Sequence, residues 1–131
     1  MKVEHIGIAV KDLDRAVAHY KSIFPEALYY DEPVADGSMK MVIVKGENIK
    51  LELMQPLKED CAVGKFIAKN GEGMHHIAFE VEDINQSMEN AKAKGIRLIT
   101  AQPYQGAEGH MVCFMHPKDT CGVLSEFCQC H

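Results

Sequence analysis

The fold is decided by two stretches that follow one pattern, Val3-Glu4-His5-Ile6-Gly7-Ile8-Ala9-Val10-Lys11-Asp12-Leu13-Asp14-Arg15-Ala16-Val17 and Met74-His75-His76-Ile77-Ala78-Phe79-Glu80-Val81-Glu82-Asp83-Ile84-Asn85-Gln86-Ser87-Met88. Each begins with the period-2 alternation of a strand and then changes to the apolar spacing of a helix. Asp12 and Asp83 stand where a helix N-cap is expected, because their carboxylates can accept from the first free amides. The chain therefore contains an internal repeat that starts with a strand and a helix.

Three more strands are predicted after each helix, at residues 27–30, 40–44 and 49–54, and again at 97–99, 111–115 and 123–128. A short helix is expected in the link between the two repeats. One repeat alone is too small to bury the apolar face of its own sheet, so the two repeats are expected to pair. The prediction is an α+β fold made of two tandem βαβββ modules. One domain then spans residues 1–131, with module one at about 1–56, a linker at about 57–72 and module two at about 73–131.

Length and charge narrow the classes of function. The 131 residues fit one domain, and the net charge of −5 disfavours nucleic acid or an anionic membrane surface as the main partner. No apolar run approaches the roughly 20 residues of a membrane-spanning helix, and no signal peptide is recognised, so a cytoplasmic protein is expected. The five cysteines are odd in number and favour free thiols. At the end of the chain, Cys128-Gln129-Cys130-His131 is interpreted as a frayed terminus in preference to a metal-binding tail.

Four polar residues interrupt the apolar strands at matching positions of the repeat: His5, His76, Glu52 and Glu126. A single histidine or glutamate in a strand is usually structural. Four at equivalent positions favour metal ligation, because a buried carboxylate is costly unless it is paired or bound to a metal. Two imidazoles and two carboxylates suit Co²⁺, Ni²⁺, Mn²⁺, Fe²⁺ or Zn²⁺ and would balance the charge of the ion. A glutamate released by an anionic substrate would then be placed to act as a general base.

The remaining histidines are weaker candidates. His75 is expected on the opposite face of its strand from His76, His19 on the surface of the first helix, and His110 stays unassigned. Lys40, His116 and Lys118 are candidates for substrate contact. His116 and Lys118 open a loop, where binding residues concentrate, and Lys118 could meet a substrate phosphate or carboxylate. A solvated turn lysine is an equally good interpretation.

Four segments carry a family resemblance: His5-Ile6-Gly7-Ile8-Ala9-Val10, Leu51-Glu52-Leu53-Met54-Gln55-Pro56-Leu57, Gly71-Glu72-Gly73-Met74-His75-His76-Ile77-Ala78-Phe79-Glu80-Val81, and His116-Pro117-Lys118-Asp119-Thr120-Cys121-Gly122-Val123-Leu124-Ser125-Glu126. With them the chain resembles the vicinal oxygen chelate superfamily, the glyoxalase-like fold, and within it the methylmalonyl-CoA epimerases. The resemblance implies a curved eight-stranded mixed sheet around one divalent ion, usually Co²⁺, held by His5, Glu52, His76 and Glu126. It also implies an acyl-CoA substrate, epimerisation at C2 and a homodimer.

The acid–base pair is the point at which the sequence departs from this family. Some members place a second carboxylate on the strand facing the metal, and residues 38–44 contain no acid. Either Glu52 and Glu126 serve the two faces of the substrate, or a water or Lys40 is the second proton donor, with Glu126 the favoured base.

Two other functions stay open. A glyoxalase I-type lactoylglutathione lyase would use the same four ligands with Ni²⁺ or Zn²⁺. It is disfavoured because Arg15 and Arg97 are the only arginines available for the carboxylates of glutathione. A non-catalytic small-molecule binder of the superfamily is disfavoured because the full ligand set is present.

Overall fold

A computed structural model describes residues 1–131 and contains eight strands and three α-helices. They are β1 (Lys2–Ala9), α1 (Leu13–Ile23), β2 (Leu28–Glu32), β3 (Met39–Lys45), β4 (Lys50–Pro56), α2 (Ala62–Asn70), β5 (Gly73–Glu80), α3 (Ile84–Ala93), β6 (Tyr104–Gln105), β7 (Met111–Met115) and β8 (Ser125–Gln129). Two single 3₁₀ turns cover Ala107–Gly109 and Pro117–Asp119. The strands belong to one mixed sheet, so the predicted α+β fold is confirmed. None of the helices has the length and apolar character needed to span a membrane.

The chain divides into two compact units, His5–His75 and a second one made of Met1–Glu4 with His76–His131. In the first unit β1 lies parallel to β4, and β3 is antiparallel to both β4 and β2. The predicted cap is present, since Asp12 Oδ1 accepts from the Arg15 amide at 3.1 Å. Leu13 of α1 is buried against Val42, Val44 and Leu53 on one face of this sheet. Burial of a leucine side chain stabilises the fold by on the order of 2 kcal/mol, so α1 is fixed to that face.

The second unit repeats the arrangement. β5 lies parallel to β8, and β7 is antiparallel to both β8 and β6. Asp83 Oδ1 accepts from the Gln86 amide at 3.0 Å, so the second predicted cap is also present. Ile84 and Met88 of α3 are buried with Cys113. The predicted helix in the link is α2, which begins after Cys61.

The predicted strand at residues 97–99 is wrong. Leu98 forms only an isolated bridge with Met115, and the short strand β6 lies farther on, at Tyr104–Gln105. Pro103 stands between them. Proline has no N–H to give to a ladder and disfavours some backbone conformations of the residue before it. A continuous strand through this segment is therefore interrupted.

Candidate active site

His5 and Glu52 lie side by side in the first unit. In the parallel register of β1 and β4, Glu52 is opposite Gly7, so its side chain shares a sheet face with the side chain of His5. The His5 Nε2 atom is 3.4 Å from the Glu52 Oε2 atom, and the two residues are 4 % and 6 % exposed. Ile43, opposite Glu52 on β3, is fully buried. A carboxylate in such apolar surroundings is stable only with a charged or metallic partner.

His76 and Glu126 have the corresponding positions in the second unit. Glu126 on β8 is opposite Ala78, the second residue after His76 on β5, just as Glu52 is opposite the second residue after His5. His76 and Glu126 are 6 % and 4 % exposed. The His76 ring contacts Phe114 edge-on, with centroids 5.2 Å apart, which fixes the orientation of the imidazole. Each unit therefore presents one buried histidine and one buried glutamate on the same face of its strands.

Lys40 does not lie with this face. It is exposed on β3 and opposite Gln55, whereas Ile43, three residues on, is opposite Glu52. Because side chains alternate along a strand, the register directs Lys40 away from Glu52. Our suggestion of Lys40 as a second proton donor or substrate contact is therefore withdrawn.

His116 and Lys118 occupy the 3₁₀ turn after β7. His116 Nδ1 accepts from the Lys118 amide at 3.2 Å, so this histidine shapes the turn. Lys118 itself is exposed. The loop is fixed by Asp119, whose carboxylate accepts from the Arg97 amide, Nε and Nη2 at 2.9, 2.9 and 3.1 Å. The Arg97 guanidinium lowers the pKa of Asp119 to about 2.

The other two assigned histidines lie where the sequence places them. His75 is half-buried and contacts Phe66 edge-on at 5.1 Å, and burial lowers its pKa, so the ring is neutral. His19 is exposed on α1.

Tyr104 is a candidate that sequence reasoning missed. It lies on β6 and is 41 % exposed, yet burial of the covered part and the negative charge of Glu126 raise the pKa of its phenol to about 12. The hydroxyl therefore stays protonated near Glu126 and is able to donate a hydrogen bond. Tyr104 was missed from the sequence because the strand predicted for this segment covered residues 97–99 and did not reach residue 104.

Comparison with known proteins places the chain in a class. Residues 4–114 match the model of the Glyoxalase/Bleomycin resistance protein/Dioxygenase superfamily, and the chain belongs to that superfamily. Human mitochondrial methylmalonyl-CoA epimerase is 40% identical over 126 residues, covering 95% of this chain and 72% of the relative. The ethylmalonyl-CoA/methylmalonyl-CoA epimerase of Cereibacter sphaeroides is 35% identical, covering 95% of each.

A solved structure of a methylmalonyl-CoA epimerase is also similar to this chain. A variant of Streptomyces coelicolor methylmalonyl-CoA epimerase, in complex with 2-nitronate-propionyl-CoA, superposes with a TM-score of 0.89 at 35% identity, covering 98% of this chain and 96% of that one. Within the superfamily, the chain therefore belongs to the methylmalonyl-CoA epimerases, enzymes of the isomerase class.

Proposed function

We propose that this chain interconverts the two C2 epimers of methylmalonyl-CoA by removing and returning the α-proton. The observation that carries the proposal is the repeated pair of buried groups, His5 with Glu52 and His76 with Glu126. The named relatives act on acyl-CoA substrates, and one is solved with a propionyl-CoA compound.

The metal part of the proposal rests on the chemistry of the donor set. Two imidazoles and two carboxylates fit a first-row divalent ion, and we propose Co²⁺ held by His5, Glu52, His76 and Glu126. Such an ion supplies Lewis-acid stabilisation of the negative charge on the thioester oxygen, a contribution of several kcal/mol. The two glutamates would balance the charge of the ion.

The proton transfers are assigned to this chain's own carboxylates. Glu126 takes the C2 proton, and the electron pair of the C–H bond passes to the thioester carbonyl as an enolate. Return of a proton to the other face of C2 gives the opposite epimer. We propose that Glu52 is that donor, which requires its carboxyl group to be protonated and released from the ion when the anionic substrate binds, with a water as the alternative.

Proton NMR of one methylmalonyl-CoA epimer in D₂O tests this function. With the cobalt-loaded protein, we expect loss of the C2 proton signal and deuterium in both epimers. His76→Ala is expected to abolish the exchange, whereas His75→Ala, its neighbour on the opposite face, is the matched control and retains it. A C2 signal that stays at the rate of a protein-free sample, with cobalt bound, would refute the proposal.

The glutathione hemithioacetal of methylglyoxal is the second substrate for the same assay. We expect no turnover, because Arg97 is already engaged with Asp119 and Arg15 lies exposed on α1.

We also propose the homodimer that the family resemblance implies. Light scattering after size-exclusion chromatography tests it.

A further inference from the structure

A second group of metal-ligand side chains lies inside the unit formed by Met1–Glu4 and His76–His131. Met111 on β7 is opposite Gln129 on β8, so His110 and Cys130 are the next residues of the two antiparallel strands. One ligand atom from each of Glu4, His110 and Cys130 lies within 4.8 Å of the others, and all three residues are half-buried. Strand register and the start of the chain thus bring a carboxylate, an imidazole and a thiol together.

A second imidazole, that of His131, lies beside this group and contacts His110. Its Nδ1 atom is 3.3 Å from the Nδ1 atom of His110, and the two ring centroids are 5.1 Å apart. The ring lies over Gly109, where a Cβ atom would be 3.4 Å from the His131 Cε1 atom. At Zn–N bonds of 2.0–2.1 Å, two nitrogens of a tetrahedral site are about 3.4 Å apart. The two imidazoles are therefore already spaced as ligands of one ion.

The charges around the thiol favour a cation. Glu4 and Glu80 both place negative charge beside Cys130. Glu80 also pairs with Lys2 at 2.9 Å, whereas a carboxylate oxygen of Glu4 lies within 4.8 Å of ligand atoms of His110 and Cys130. A thiol that coordinates a divalent ion loses its proton and binds as the thiolate.

We propose that Glu4, His110, Cys130 and His131 form a second metal site, separate from the catalytic one, that takes Zn²⁺. A thiolate with two imidazoles and a carboxylate selects a thiophilic first-row ion, and four protein ligands make a closed, structural site. The ion links the start of β1, the turn before β7 and the residues that follow β8. The Cys130-His131 end, interpreted from the sequence as frayed, is thereby fixed. This site does not depend on the proposed epimerase activity.

Cobalt absorption tests the site, because the catalytic donor set contains no sulfur. Titration of the reduced, metal-free protein with Co²⁺ alone is expected to give a thiolate-to-cobalt charge-transfer band in the near ultraviolet, with two ions bound per chain. Zn²⁺ should abolish the band by displacement. Cys130→Ser is expected to remove the band and one of the two ions. Cys61→Ser is the matched control, since Cys61 is a half-buried N-cap residue of α2 and serine is a good N-cap.

Three further variants separate this site from the catalytic one and from unspecific binding. His76→Ala should lose the other ion and keep the band. His110→Ala should weaken cobalt binding at the thiolate site by at least about tenfold, whereas exposed His19→Ala should leave it unchanged. Absence of the band from the wild-type protein, or its survival in Cys130→Ser, would overturn the proposal. Loss of the band in Cys128→Ser with Cys130 intact would overturn it as well.

Discussion

Glu126 and glutamine differ in charge and basicity but hardly in size, so Glu126→Gln isolates the proton-accepting role of this buried side chain. We expect the rate of C2 proton exchange to fall by about 10²–10⁴-fold, the usual contribution of a positioned general base. The amide oxygen can still serve as a metal ligand, so in the Cys130→Ser background cobalt content measured by atomic emission should stay close to one ion per chain. Exposed Glu89→Gln on α3 is the control. Full exchange in Glu126→Gln would remove this residue from the proton transfer.

The loop after β7 depends on one ion pair, and that dependence is testable through pH. Asp119 has a pKa of about 2 in the folded protein, below its usual value near 3.9, because of Arg97. A lowered folded-state pKa means that the stabilisation is fully present above about pH 4 and is lost as the pH falls through about 2. Asp119→Asn should therefore lower the Tm at pH 6, and the difference from wild type should disappear near pH 2. A difference that persists unchanged at pH 2 would show that the charge of Asp119 contributes nothing.

Two glutamines bind the starts of two helices in the same way. Gln55 Oε1 accepts from the Leu13 amide of α1 at 2.9 Å, and Gln129 Oε1 accepts from the Ile84 amide of α3 at 2.8 Å. Each glutamine is the third residue after a proposed glutamate ligand, so the same strand that places the ligand also holds the helix. Replacement by alanine leaves a part-buried N–H without its acceptor, which costs about 1–3 kcal/mol.

Chemical denaturation of Gln55→Ala, Gln129→Ala and the double variant measures this cost. We expect a loss of about 1–3 kcal/mol in each single variant. The losses should add in the double variant, because the two bonds share no partner. Gln86→Ala is the matched control, since its exposed side chain bonds Asn90 within one helix turn and should change stability by about 0.2–0.5 kcal/mol. Equal losses in all three single variants would contradict the role of Gln55 and Gln129.

The helix caps and strands that the sequence predicts correctly are those whose signal lies in neighbouring residues. The caps at Asp12 and Asp83 and the strand at Met111–Met115 follow from neighbouring residues, and all three are present. Lys40 was misjudged because the face of a strand residue depends on its register with the next strand, which periodicity alone does not give. The bond from Leu13 to Gln55 spans 42 residues and leaves no local signal. Proximity of His110 to Cys130 likewise arises only from the pairing of β7 with β8.

At the scale of the whole molecule, duplication explains the composition of the proposed catalytic site. Each βαβββ module supplies one histidine from its first strand and one glutamate from its last, and the parallel register is the same in both modules. Neither module alone offers four ligands or the two carboxylates needed for the two faces of C2. The second proposed metal site is not duplicated, because Cys130 has its sequence counterpart at Pro56, which carries no donor. The repeat thus accounts for the catalytic donor set, whereas the second proposed site has no counterpart elsewhere in the repeat.

An ion bound by ligands from both modules should stabilise the folded chain as a whole. Co²⁺ at 100 times its dissociation constant adds about 2.7 kcal/mol to the free energy of unfolding. We therefore expect Co²⁺ to raise the Tm of the Cys130→Ser variant, in which the catalytic site is the remaining proposed metal site, and a chelator to reverse the rise. In that background His5→Ala and His76→Ala should each abolish the shift, because loss of a ligand from either module weakens the same site, while His75→Ala should retain it. A cobalt shift that survives either ligand replacement would show that the ion is not shared by the two modules.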